Sequence, residues 1–156
     1  MDSNSKLYLE RAENELKLAE IIMKLSLNQE IQTTFNVGEA ETYFSSVISH
    51  AYYSIFYSAK AYLIMKQVIT KAPEEHKKTY EQFRILVNRN IVDKELLRLY
   101  EEVIIKAEKL LGIFKIEKKK RGEFTYQRIA QANLEPAKES LENAKTFLKN
   151  IYALCS

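Results

Sequence analysis

The stretch TYFSSVISHAYYSIFYSAKAYLIMKQV, Thr42 to Val68, decides the fold. It contains no Pro or Gly and runs well past the ~11–12 residues of an average helix. At 100° per residue, Phe44, Ile48, Ala51, Tyr52, Ile55, Ala59 and Leu63 fall on one broad face. Tyr53, Tyr57 and Ile64 point the other way, among Ser46, His50 and Lys60. A helix apolar on nearly every side has to be covered on nearly every side. The stretch is therefore expected to be the central helix of a bundle, with its second face packed on another copy of the chain.

The sequence on either side supplies the other helices. Leu9, Ala12, Leu16, Ala19 and Met23 recur at steps of three and four and predict a first helix over about Ser5 to Leu25. Asn28 to Gly38 breaks the pattern and is expected to be a loop. Pro73 suits the first turn of a third helix, where its missing N–H is no loss, and Glu74 and Glu75 complement the positive end of the dipole. Tyr80, Phe83 and Val87 give that helix its buried edge. Asp93 is the expected N-cap of a fourth helix with a stripe of Leu96, Tyr100, Val103, Ala107 and Leu110, and Gly112 its stop. The last helix is expected after Asn133, with Pro136 in its first turn and Leu134, Ala137, Leu141, Ala144, Leu148 and Ile151 facing inward. The expectation is an all-α fold: one domain over residues 1–156, an up-and-down antiparallel bundle of about five helices.

Composition agrees and removes several functions. Three Gly and two Pro in 156 residues favour helix over strand. The balance of 24 Lys and Arg against 21 Asp and Glu gives a net charge of +3, too mild to indicate nucleic-acid binding by itself. Cys155 is the single cysteine, so no internal disulfide forms, and near the chain end it reads as a dispensable tail residue. The start, MDSNSKLYLER, lacks a secretory pattern, and no apolar run approaches the ~20 residues that span a bilayer. The expectation is a cytoplasmic protein without a membrane segment. The glycines are too scattered for a phosphate loop, and two His and one Cys give no zinc spacing. Neither His50 nor His76 follows a Glu by three residues, as a di-iron bundle would require, so no metal and no cofactor are expected.

Charge instead gathers in IFKIEKKKRGEFTYQRIAQA, residues 113–132, where the helical period is poor. Lys118, Lys119, Lys120 and Arg121 precede Phe124 and Tyr126, a mixture of cations for phosphates and rings for bases. Taken alone, such a run is a solvated face with its rings turned to the core. His50, near Ser46, Tyr53 and Tyr57 on the helical wheel, reads on its own as an imidazole bonded to a hydroxyl. The rival reading is a proton-transfer group lining a dimer cleft.

SHAYYSIFYSAKAYL at Ser49 to Leu63, HKKTYEQF at His76 to Phe83, KKKRGEFTYQ at Lys118 to Gln127, and NLEPAKESLENAKTFLKNI from Asn133 follow in a telling order. Together they resemble the HEPN domain (higher eukaryotes and prokaryotes nucleotide-binding), in particular its small stand-alone prokaryotic members. The resemblance covers nearly the whole chain, and the aromatic helix is its most specific element. It implies a helical bundle that forms a homodimer, with His50, Tyr53 and Tyr57 at the interface. It also implies a metal-independent ribonuclease or toxin–antitoxin setting, often with a small nucleotidyltransferase as partner.

The family's active motif is an Arg followed, after four to six residues, by a His. Here Arg121 stands in the arginine's place and Tyr126 where the histidine is expected. Cleavage through a 2′-hydroxyl needs a proton acceptor near neutrality, and tyrosine, with an ordinary pKa near ~10, serves that poorly. Binding of RNA or a nucleotide by Lys118, Lys119, Lys120, Arg121 and Tyr126 is therefore the expected function. Two alternatives stand beside it: a ribonuclease with catalytic groups drawn from Arg121, Tyr126 and His50, or a helical module that only binds other proteins. Tyr126 is further expected as a site that a nucleotidyltransferase modifies.

Overall fold

The computed structural model describes residues 1–111 and 134–156. Among these residues there are six helices and no strand: α1 (Ser3–Leu27), α2 (Gln29–Thr34), α3 (Phe44–Met65), α4 (Glu75–Asn88), α5 (Lys94–Leu111) and α6 (Leu134–Cys155). The helical stripes read from the sequence are the buried ones. Leu9, Ala12, Ala19 and Met23 of α1, Leu96, Tyr100, Val103 and Ala107 of α5, and Ala137, Leu141, Ala144, Leu148 and Ile151 of α6 all lie inside. So does the broad face of α3 from Phe44 to Leu63.

α3 is the axis, in contact with α1, α4, α5 and α6. Bonds between helices give the directions. Ser5 Oγ donates to the Ala61 carbonyl at 2.9 Å, Ser54 Oγ donates to the Ala12 carbonyl at 2.8 Å, and Ser26 Oγ accepts from the Tyr43 N–H at 2.9 Å. Numbers rise along α1 as they fall along α3, so the two are antiparallel. Glu102 with Asn143 and Lys106 with Glu139 set α5 against α6 in the same way. Tyr152 with Glu13 and Lys145 with Glu20 set α6 against α1. Thus α1, α3, α5 and α6 run up, down, up, down.

α4 departs from the expected alternation. His76 meets Phe56 and Phe83 meets Tyr62, so positions advance together along α4 and α3. The segment 66–74 carries the chain back to the level of Lys60, where Glu75 is bonded. Pro73 therefore lies before the helix, and Glu74 is its N-cap at φ 58°. The predicted loop from Asn28 to Gly38 also needs correction, because it contains α2. The Asn28 side chain accepts from the Ile31 N–H at 3.1 Å, and Glu30 sits in the positive first turn.

Three helices stop without glycine. Asn36, Gln67 and Asn90 take φ of 55°, 62° and 58° just past α2, α3 and α4. The following N–H of Val37, Val68 or Ile91 bonds back five residues, to Gln32, Leu63 or Leu86. Each is a Schellman closure with an apolar residue after the left-handed one. Asp93 opens α5 as expected, accepting from the Glu95 N–H at 2.8 Å. Cys155 is corrected from tail to core: it is 7% exposed, and burial pushes its thiol above the usual range.

Phe83 of α4 is the hub of a closed aromatic cluster drawn from α3, α4, α5 and α6. Its ring lies 5.5 to 6.4 Å from those of Phe147, Tyr100 and Tyr62. No helix among the described residues is long and apolar enough to cross a membrane.

Candidate functional site

The second face of α3 was expected to be covered by another copy of the chain. Within one chain α1 covers part of it, and the remainder stays half-buried: His50, Tyr53, Tyr57 and Ile64. Lys60 belongs to the same face by helical position, yet it is only 5% exposed. The helices are brought close by small residues at their contact. Ser5 and Ser54, both fully buried, bond across to the main-chain carbonyls of Ala61 and Ala12. That closeness leaves the longer side chains of α1 leaning over the edge of α3.

Tyr53, Tyr57 and Tyr8 form a ladder of rings. Tyr53 and Tyr57 are one turn apart on α3 with centroids at 6.4 Å and planes 28° apart. Tyr8 of α1 continues it at 6.0 Å and 29° from Tyr57. Arg11, one turn on from Tyr8, holds its guanidinium 5.3 Å from the Tyr8 centroid and 5.8 Å from that of Tyr57. A guanidinium over two tyrosine faces is favourably placed, by about 0.5–1 kcal/mol per contact at an exposed site. Burial, and then the Glu15 carboxylate, push the Tyr57 phenol above its ordinary value.

His50 Nδ1 lies 2.5 Å from Glu15 Oε2, with both side chains about a quarter exposed. The hydroxyl partner expected for His50 is thus replaced by a carboxylate from α1. Pairing fixes the ring's orientation and leaves Nε2 as its other polar atom. Lys60 bonds the Glu75 carboxylate at the start of α4, while its Nζ sits 5.0 Å over the Tyr8 ring. Burial, and then the charge of Arg11, lower the Lys60 ammonium below the usual lysine value.

His76 packs against the aromatic side of α3. It lies in the first turn of α4, stacked 4.0 Å from Phe56, and its Nδ1 is 2.9 Å from the Tyr52 hydroxyl. Tyr53 closes the third side edge-on at 6.0 Å. Burial, and then Lys60, hold its pKa below the ordinary 6.5, so the neutral ring is favoured near neutrality.

Of the sequence-predicted residues, His50, Tyr53 and Tyr57 come together on one side of α3. Lys118, Lys119, Lys120, Arg121 and Tyr126 lie outside the described residues, as does Gly112. The sequence pattern does not mark Tyr8, Arg11 or Glu15, and it marks Glu75 only as a helix-start charge. They sit on other helices, and only a three-dimensional arrangement joins them to α3. Among the described residues no three His, Cys, Asp or Glu side chains are grouped so as to hold a metal ion. No protein-family model matches the chain, and no match is found among curated proteins or among solved structures. What can be stated of its class is an all-α bundle with one side made of tyrosines, histidines and cations.

Proposed function

We propose that this chain is a HEPN-like cytoplasmic protein that pairs with a second copy through the His50, Tyr53 and Tyr57 side of α3. In this reading it binds RNA or a nucleotide through Lys118, Lys119, Lys120, Arg121 and Tyr126. A small nucleotidyltransferase is its partner, in a toxin–antitoxin or defence setting. The observation that carries the reading is the half-buried ring ladder of Tyr53, Tyr57 and Tyr8, left open after the chain's own helices have packed. Large amphipathic rings that keep part of their surface in water favour contact with another molecule. The sequence resemblance supports the basic segment as the phosphate-binding half.

Light scattering coupled to gel filtration, followed by filter binding with labelled RNA, tests it. The wild type elutes at twice the chain mass, and Tyr53→Ala with Tyr57→Ala shifts it toward one chain. Arg121→Ala weakens RNA or nucleotide binding by roughly tenfold, as expected for one charge-assisted contact, and leaves the circular dichroism unchanged. A wild type of single-chain mass, with affinity indifferent to Arg121→Ala, sinks the reading. A wild type that dimerises without binding RNA or nucleotide favours the pure interaction module.

A second reading has its own observation, the His50–Glu15 pair at 2.5 Å on the open side. A carboxylate-oriented imidazole is suited to accept a proton from a 2′-hydroxyl, so the protein would act as a metal-independent ribonuclease. Incubation with RNA in excess chelator decides it: cleavage lost in His50→Ala supports the reading, and intact RNA with wild type ends it.

A further inference from the structure

The returning segment 66–74 has a shape and a charge that neither reading uses. One groove separates it from α1 and another from α4, and Ile69, Thr70 and Lys71 line both. A strip of chain that walls two grooves at once stands between them as a ridge. Exposure alternates along it: Ile69 is 69% exposed, Thr70 is buried, and Lys71 is exposed again. The hydroxyls of Thr70 and Thr79, 2.7 Å apart, pin the ridge to α4. The Val68 N–H donates to the Leu63 carbonyl at 2.8 Å, and the Lys78 ammonium donates to the Lys71 carbonyl at 3.3 Å. Ile69 and Lys71 are thus held outward by a fixed base.

Both flanks of the ridge carry one sign. Arg11, Lys60 and Lys71 line the groove toward α1, Lys71 and Lys78 line the groove toward α4, and no carboxylate lines either. Between α4 and α5, by contrast, a groove sets Lys94 and Arg98 against Glu101. Lys60 is buried and tied to Glu75, so it adds little. Arg11, Lys71 and Lys78 have no carboxylate within 4.0 Å among the described residues. The exposed Lys66 and Lys77 extend the same charge, and Glu74 is the single acidic residue of 66–74. Amid these cations Ile69 is the most exposed large aliphatic side chain among the described residues, and Leu7, 45% exposed, lies across the groove from it.

We propose that this ridge docks on an anionic membrane surface. Ile69 and Leu7 enter the boundary between headgroups and acyl chains, while Arg11, Lys71 and Lys78 meet the charged headgroups. A soluble acidic partner would have to offer a pocket for Ile69 with carboxylates on both sides of it. A bilayer containing anionic lipid offers hydrocarbon beneath a charged layer everywhere, with no shape to match. Lysine and arginine suit that boundary, because their stems lie along apolar surface while their charged heads stay in water. Attachment of this kind needs no spanning helix. Ile69, Lys71 and Lys78 belong neither to the 118–126 segment nor to the Tyr53 and Tyr57 side, so the outcome is separate from both earlier readings.

Cosedimentation of the full chain with vesicles of phosphatidylcholine, alone or mixed with phosphatidylserine, tests the proposal. The anionic vesicles are expected to bind at least tenfold more tightly than the neutral ones, and to weaken as salt rises. Lys71→Gln and Lys78→Gln are each expected to lower the affinity roughly fivefold. A variant with Lys118, Lys119, Lys120 and Arg121 all changed to Gln is expected to keep it. The chain has no tryptophan, so Ile69→Trp supplies a single indole whose emission should move to the blue on anionic vesicles. Ile105→Trp, at an exposed position on α5, should show no such shift. Thermal melts confirm that the variants are folded; Ile69 and Ile105 are both largely in water, so neither change empties the core. No binding to anionic vesicles, equal binding to neutral ones, or a loss confined to the 118–121 variant would each overturn the proposal. So would an indole at position 69 that shifts as far with soluble poly-glutamate as with vesicles, which would assign the ridge to an acidic protein.

Discussion

Two aromatic regions flank α3, and they differ in what their rings leave open. Around Phe83 the rings of Tyr62, Tyr100 and Phe147 are sealed, all at most 2% exposed. Around Tyr57 the rings of Tyr8 and Tyr53 stay half in water, and cations and a carboxylate come up against them. The first region even accepts a cost for closure, since the Tyr100 hydroxyl is buried with no hydrogen-bond partner among the described residues. Burial drives that phenol far above its ordinary pKa. Tyrosine thus serves as a core residue on one side and as a contact residue on the other. Its surroundings decide which, not its type.

Mutations can break that contrast. Phe83→Ala should have the largest effect, destabilising by about 3–5 kcal/mol in urea unfolding, because it empties the hub of a packed cluster. Tyr57→Ala should cost about 1 kcal/mol or less in the same measurement, since its ring is already partly hydrated. Equal losses at the two positions would erase the distinction. Tyr100→Phe should change stability least, between no effect and a gain of about 1 kcal/mol, because it removes only a buried hydroxyl with no bond to lose. A loss above 1 kcal/mol would mean that this hydroxyl has a partner.

His76 sharpens the comparison through pH, because it sits between the two regions. Its folded pKa lies below 6.5, so an unfolded chain takes up the proton first as acid is added. The stability it contributes is whole above about pH 6.5 and is lost as pH falls through the folded value. Urea midpoints measured from pH 8 to 5 should therefore fall on the acid side. His76→Asn should flatten that part of the curve. An unchanged slope in the variant would assign the acid loss to other groups.

Most of the fold was legible because burial follows the helical period. Leu9, Ala12, Ala19 and Met23, or Ala137, Leu141 and Ala144, repeat at three and four, and that periodicity needs no tertiary knowledge. The misses were at ends and turns. α2 hid behind Asn28, whose side chain caps it, because six residues are too few to show a period. The stops at Asn36, Gln67 and Asn90 passed unnoticed because glycine was the expected signal. An amide residue followed by Val or Ile performs the same closure. Of the site, the α3 contribution was readable from its wheel. Arg11, Glu15 and Glu75 were not, since a side chain on one helix says nothing about which neighbour it will reach.

The two serine hydroxyls that cross between α1 and α3 have one further effect. Ser5 and Ser54 are fully buried, and their two crossings lie two helical turns apart, at Ser5 and Ala12 on α1 and at Ala61 and Ser54 on α3. Sliding either helix by a single turn would separate both hydroxyls from their carbonyls at once, at about 1–3 kcal/mol for each stranded group. The pair therefore acts as a two-point latch on the longitudinal position of α1. Tyr8 and Arg11, carried on the same helix, inherit a fixed height above Tyr57 and Lys60, whatever else in the molecule shifts.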